Sequence, residues 1–550
     1  MPGPAVDSGH TYAPCPDGIP LSPNRYWTCL GTSFDTGDTG TSPGPVARTR
    51  AQERTRMSET PPPQDPDSFY ELPGVPTSGL DGEILHSTFI ERGDTGYQHS
   101  LSNLQIQMIA IGGAIGVGLF LGIGARLQAA GPALIVSYLV VGALVYALMR
   151  ALGQMVLYRP TTGAFVSYAR EFVSDRFAHL TGWIYVTLAA LAGIAELAAI
   201  GVYVRFWLPG LPTWIPSLAA IVIIAGVNFL SVKAFGTIEL AAAGIKVSAI
   251  ILFIVTGLVA VLLTFFGRPV GQADVTHLWS HGGFFPNGLW VVIVVMQGVV
   301  FSFSAVEIVG ISAGEAKDPL KTMPKAINSV IIRIGLFYIG ALLILSMLLP
   351  SQAYSGKESP FVTALASLGV TGLAGVMNFV VLTAAISGVN ATLYAAVRLL
   401  RNLAANHRAP AITNRMSSRG VPVGALTSIG SVFLLGVLLI FFAGASDAFE
   451  IVLSAVAVFI LFGWIAIFVS HLGFLRAVAD GRVPEPVFRA GGRGVDLICL
   501  AFLGALALWM TLDTSNPHWY YSLIAAVALL GGLTLMYEFY ARRHPTSARM

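Results

Sequence analysis

Two stretches and a few charges sit where their chemistry has few ordinary uses. The run Gly112-Gly113-Ala114-Ile115-Gly116-Val117-Gly118 places four glycines in seven positions of an apolar segment. Each disfavours a helix by roughly 1 kcal/mol relative to alanine, so a continuous helix is poorly supported there. Backbone unwound at membrane depth is tolerated only where protein buries it or a cavity lies beside it. Its freed groups then become ligand groups, amides at the start of a half-helix for a carboxylate and carbonyls at the end of one for an ammonium. A small zwitterion supplies both partners. The competing reading is that the small residues let two helices pack closely. At the level of the sequence both remain open.

The second stretch is Phe301-Ser302-Phe303-Ser304-Ala305-Val306-Glu307-Ile308-Val309-Gly310, where two serines and a glutamate interrupt apolar sequence. Placing an acid at the centre of a span costs about 3 kcal/mol on insertion scales, and such residues usually face a cavity or a partner and mark solute or proton paths. For Glu307 the alternative is a plain helix–helix hydrogen bond. Lys246 is the lysine set deepest in any apolar block. A buried ammonium can release and rebind a proton; the alternatives are snorkelling and a fixed ion pair with Glu196. Glu196 is then either a relay or a counter-charge.

The elements that must position these residues are membrane spans. Hydrophobic residues make up 54% of the 550 and charged residues only 11%, against about a quarter charged in an ordinary soluble domain. From residue 104 the apolar residues fall into twelve blocks, at 104–125, 131–155, 178–208, 214–230, 238–265, 290–312, 326–349, 360–404, 423–443, 447–471, 495–512 and 518–541. Blocks of about 20 residues match the hydrocarbon thickness of a bilayer. The eighth is longer than one span, so its first part is expected to be re-entrant or external. Basic residues gather in the even-numbered connections and the C-terminal tail, for example Arg398, Arg401, Arg408, Arg415 and Arg419 after the eighth block. The positive-inside rule then puts both termini in the cytoplasm and supports an even number of spans.

Residues 1–100 are rich in Pro, Gly, Ser, Thr and Asp, a composition that predicts disorder. Met57 opens the run Met-Ser-Glu-Thr-Pro-Pro-Pro and is a candidate true start, with residues 1–56 upstream of it. The expected layout is a cytoplasmic tail over 1–100, a transmembrane domain over 101–541 and a short cytoplasmic tail over 542–550. Cys15, Cys29 and Cys499 have no metal-ligand spacing. With no His or Asp/Glu cluster and no Gly-x-Ser-x-Gly motif, neither a metal, a cofactor nor enzyme chemistry is expected. A net charge of +3 points to no nucleic-acid partner.

Several motifs together resemble the amino-acid permeases of the amino acid–polyamine–organocation superfamily, and within it the asparagine-carrying branch. They are the glycine run with Leu119-Phe120, Ala125-Arg126-Leu127-Gln128, Arg150-Ala151-Leu152-Gly153-Gln154-Met155, Gly163 to Phe172, Gly314-Glu315-Ala316-Lys317-Asp318-Pro319, Pro324 to Val330, and Ser359-Pro360-Phe361-Val362. The resemblance runs from about Leu101 to the C-terminus. It implies an all-α polytopic membrane protein with a leucine-transporter-like core, spans 1–5 and 6–10 as inverted repeats, and two peripheral helices in a bacterial inner membrane. It also implies that backbone groups of Ala114, Ile115, Gly116, Val117 and Gly118 hold a substrate carboxylate and part of its ammonium. Carbonyls around Phe301 and Ser304 complete the ammonium site, the Phe301 ring closes over the ligand, and Asn390 forms a polar wall. Lys246 matches a lysine that replaces sodium, which implies proton symport, with Glu196 and Glu307 as further proton-coupling candidates.

The expected function is uptake of a neutral amino acid, L-asparagine first, with an exchanger, a broader permease or a non-transporting receptor as alternatives. Four features depart from the family pattern: Val117 for Thr or Ser, Gln154 for Glu, Leu188-Ala189 for Asn-Trp, and Ala192 for Thr. They make the interior more apolar, and any ion pair of the Glu at position 154 is lost.

Overall fold

In the computed structural model the described residues are 102, 104–105, 107–108, 115–230, 232–316, 319–356, 358–369, 372–486, 488–512 and 519–543. The expectations for the tail over 1–100, for Met57, for Ala114 and for residues 544–550 lie outside them. Among the described residues every regular element is helical. Eight helices of the described residues are long and apolar enough to cross a membrane, and two shorter apolar segments lie at Trp214–Phe229 and Gly288–Ser302.

The first apolar block is not one straight helix. Residues 104–105 and 107–108 are helical, a bend falls at Ile115 and Gly116, and the chain resumes as α1 (Val117–Phe120) and α2 (Ile123–Ala130). It therefore runs past the expected limit at 125. At Gly131 the backbone turns with φ of 62° into Pro132, a positive φ that favours glycine, and α3 (Leu134–Tyr158) follows. A short amphipathic helix, α4 (Ala164–Phe172), leads to α5 (Asp175–Val204). Ser174 caps α5 by accepting from the Phe177 N–H at 3.1 Å, which satisfies one of the donors that a helix start leaves open. Next come α6 (Trp214–Leu230) and α7 (Val232–Phe265).

The sixth block is interrupted as well. It consists of α8 (Gly288–Val294), α9 (Met296–Ser302) and α10 (Ile308–Ser312), with turns over 303–307 between the last two. Ala305 sits in that break at φ of 70°, a left-handed conformation that a residue with a Cβ adopts only under some strain. The seventh block is α11 (Pro319–Arg333), a π-helical stretch Ile334–Gly340 and α12 (Ala341–Leu348). The long eighth block is two helices, α13 (Pro360–Ser367) and α14 (Leu373–Ala405). Gly369 and Gly372 make that bend with φ of 72° and 84°. The remaining spans are α15 (Val423–Ala443), α16 (Ala445–Ala479), α17 (Gly492–Leu512) and α18 (Trp519–Arg543). α16 continues eight residues beyond the expected limit at 471.

Burial separates the central from the peripheral helices. The most apolar window of α5 is 89% buried and that of α14 78%, whereas those of α7 and α17 are only 28% buried, although α7 is more apolar than either central helix and α17 as apolar as α14. A helix that is apolar all round and half uncovered is one whose outer face meets lipid. α5 and α14 pack against each other at the centre, and α14 also meets α1 and α10 of the two broken spans.

Candidate functional site

The two breaks are held together through Ser302, the last residue of α9. Its hydroxyl donates to the Gly118 carbonyl at 2.8 Å and accepts from the Tyr138 hydroxyl at 2.7 Å. The Ser302 carbonyl in turn accepts from the Tyr338 hydroxyl at 2.8 Å. Tyr138 and Tyr338 stack with centroids 5.5 Å apart, and the Phe303 ring packs tilted against both, 4.5 Å from Tyr338. Gly118 permits the approach, because a Cβ there would stand 2.7 Å from Ser302 Cα and 3.0 Å from the Phe301 carbonyl oxygen.

Around these contacts the side chains are sealed and parts of the backbone are not. From Ile115 to Gly124 only Gly116 is half-buried, and from Gly298 to Ala316 only Ser304 and Ala305 are. The openings therefore coincide with the two breaks, where helical pairing is incomplete. The buried Phe301 ring lies against Gly118, and the Phe301 carbonyl accepts from the Ser304 N–H at 3.0 Å. Ile115 and Val117 are fully buried, so in the described part of that run, from Ile115 to Gly118, it is backbone at Gly116 that faces the opening.

A buried charge cluster adjoins the first break. Glu196 of α5 accepts from the Val117 N–H at 3.4 Å. Lys246 of α7 donates to the Ser387 hydroxyl at 2.8 Å, and that hydroxyl donates to Glu239 at 2.6 Å. Lys246 Nζ and Glu239 Oε1 are 4.0 Å apart. Lys246 is thus paired with Glu239, two turns earlier on its own helix, while Glu196 acts on the same ammonium as a second carboxylate. With 1% exposure for Lys246 and none for Glu239, snorkelling does not describe the lysine. Removing one partner of such a pair would strand the other, at about 3–5 kcal/mol.

Asn390 is turned toward α6. Its Oδ1 accepts from Asn228 at 2.8 Å, and its Nδ2 is buried with no hydrogen-bond partner among the described residues. Glu307 accepts from the Tyr185 hydroxyl at 2.6 Å. That is the helix–helix bond the sequence allowed for, and the second Glu307 oxygen is buried with no hydrogen-bond partner in direct contact among the described residues. Among the departures, Leu188, Ala189 and Ala192 are all buried. Position 154 belongs instead to a buried polar cluster with His471 and Asp496. His471 donates from Nε2 to Gln154 Oε1 at 2.6 Å, and its Nδ1 faces Asp496 at 2.7 Å. Gln154 also donates to the Phe488 carbonyl at 2.9 Å, so an amide serves where a carboxylate could only accept.

Two features escaped the reading of the sequence. Glu239 lies seven residues before Lys246, a spacing that puts both on one helix face, and that spacing was the available signal. Glu315 and Arg398 form a buried pair at 2.6 Å joined by the Tyr394 hydroxyl at 3.0 Å, and nothing local to either residue announces it. A cavity of 530 Å³ lined by residues such as Ile245, Ser248, Leu252, Phe253, Leu365 and Val376 is apolar, and no member of the charge cluster lines it. The polar chemistry lies at the breaks instead. Among the described residues no group of His, Cys, Asp and Glu is arranged to hold a metal ion.

The amino acid permease family profile matches residues 105–548. An L-asparagine permease of Streptomyces coelicolor is 42% identical over 449 residues, covering 80% of this chain and 91% of that protein. One from Escherichia coli K12 is 42% identical over 472 residues, 85% and 93% of the two chains. L-asparagine permease 1 of Mycobacterium tuberculosis is 41% identical over 462 residues, with coverage of 83% and 93%.

Proposed function

The chain belongs to the amino acid permease family, and we propose that it imports a neutral amino acid, L-asparagine first, by proton symport with alternating access. The observation that carries this reading is the meeting of two broken spans at Gly118 and Ser302, with half-buried backbone at Gly116, Ser304 and Ala305 beside a buried charge cluster. Backbone from Ala114 to Gly118 takes the substrate carboxylate. Carbonyls around Phe301 and Ser304 take its ammonium, and the Phe301 ring closes over it. Unwound backbone at mid-span binds both ends of a zwitterion without stranding a charge in hydrocarbon. Asn390 contributes its free amide as a polar wall.

Coupling follows from the charges. Lys246 supplies a fixed positive charge in place of a sodium ion, Glu196 stands between it and the first break, and Glu307 is the last residue of the second break. Movement of spans 1 and 6 against the α5 and α14 scaffold exposes the site to each side in turn, with both chain termini in the cytoplasm.

The test is uptake of radiolabelled L-asparagine by proteoliposomes under an inward proton gradient, with a protonophore, with unlabelled competitors and beside Lys246→Ala. Concentrative uptake that the protonophore and unlabelled asparagine abolish is expected, together with its loss in the variant. Equal accumulation without the gradient would replace symport by exchange. Binding without flux would point to a receptor.

A further inference from the structure

We propose that Glu196 is an internal stand-in for the substrate's carboxylate, one that yields the Val117 amide only by taking up the proton that is carried with the substrate. This rests on the breaks being the substrate site.

The geometry is specific to that carboxyl group. Its Oε1 accepts from the amide that the first break frees, and it is clasped between two backbones. A Cβ on Gly116 would stand 2.8 Å from Oε1, and one on Gly388 would stand 2.7 Å from Oε2. Neither glycine has a positive φ, so the backbone conformation does not require glycine at either position and the missing side chains make room for the carboxyl. Glu196 is 7% exposed, and its Oε2 has no hydrogen-bond partner among the described residues. One oxygen therefore holds the amide while the other is a buried, unsatisfied proton acceptor.

The titratable groups acting on Glu196 are Lys246 and Glu239 from α7 and Tyr203 from its own helix. Two carboxylates against one ammonium leave the cluster with an excess negative charge whenever both are ionised. A substrate carboxylate arriving at the Val117 amide brings a further anion into contact with Glu196. Carboxylates that share a site do not all stay ionised. Glu239 is held by Ser387 and Lys246, so Glu196 is the group free to change. Its carboxylate takes one proton from the outer solution, becomes the neutral acid and releases the amide. When the substrate leaves toward the cytoplasm the acid gives up that proton and rebinds the amide, so one proton crosses with each amino acid.

The experiment is equilibrium binding of radiolabelled L-asparagine to the full-length protein in nanodiscs over a pH series, for the wild type, Glu196→Gln and Glu196→Asp. In the wild type affinity should fall about tenfold per pH unit above the carboxyl's titration, as linkage to one proton requires. Glu196→Gln keeps the shape and cannot ionise, so its affinity should be flat with pH and match the wild type's acid-side value. Glu196→Asp should keep the slope. An equal slope in Glu196→Gln and the wild type would overturn the proposal while leaving the transport reading intact. So would a flat Glu196→Asp if Glu196→Gln failed to bind. Wild-type protein that bound no neutral amino acid at any pH would overturn the transport reading, and this proposal with it.

Discussion

At the scale of single residues, the site depends on positions where an atom must be missing. Gly118→Ala places a methyl group 2.7 Å from Ser302 Cα, against backbone that cannot swing aside. Overpacking of this kind costs about 1–3 kcal/mol, and here it also wedges the two breaks apart. A lower unfolding temperature and loss of uptake are expected, measured by a thermal-shift assay and by proteoliposome flux. Ser302→Ala removes the hydroxyl that links Gly118 to Tyr138 and should destabilise by about 1 kcal/mol per lost bond, with a smaller loss of flux than Gly118→Ala. Ala305 behaves in the opposite way. At φ of 70° its Cβ is a source of strain, so Ala305→Gly should keep transport, whereas Ala305→Val, adding a branched Cβ to a left-handed backbone, should abolish it. Glycine runs and intramembrane acids were legible in the sequence because each breaks a composition rule. The Ser302 hub was not, since a serine in a span is commonplace until its partners are known.

At the scale of elements, the buried pair between Glu315, just after α10, and Arg398 of α14 ties the second break to the scaffold. Arg398 also lies over the Tyr394 ring, 3.5 Å from its centroid. Arg398→Ala leaves Glu315 buried without its main counter-charge and should destabilise by about 3–5 kcal/mol, seen as loss of monodisperse protein on size-exclusion chromatography. Glu315→Gln with Arg398→Met should recover much of that loss, because neutral replacements of a buried pair strand no charge. Helix limits followed from apolar blocks, and the ninth block matched α15 at both ends. The first and sixth blocks did not behave as single helices. Hydropathy reports whether a segment can sit in lipid, and a broken segment inside a bundle is as apolar as an intact one.

At the scale of the whole molecule, the Lys and Arg distribution predicts that the C-terminal tail faces the cytoplasm. Ser547→Cys in an otherwise cysteine-free protein should react with a membrane-impermeant maleimide only after the membrane is permeabilised. Reaction in intact, correctly oriented vesicles would reverse the assigned topology. Membrane character, the approximate number of spans, the suspect glycine run and the intramembrane charges were all determined by the sequence itself, because lipid tolerates only long apolar segments and makes every exception conspicuous. Which exceptions meet was decided by the tertiary structure alone. Lys246 is paired with Glu239 through Ser387, Glu196 reaches across to the Val117 amide, and Gln154 serves His471 in place of an acid pair. Each of these partnerships joins different spans through at least one residue, and side-chain pairing across a bundle depends on the rotation and depth of each helix, which no local run of residues encodes.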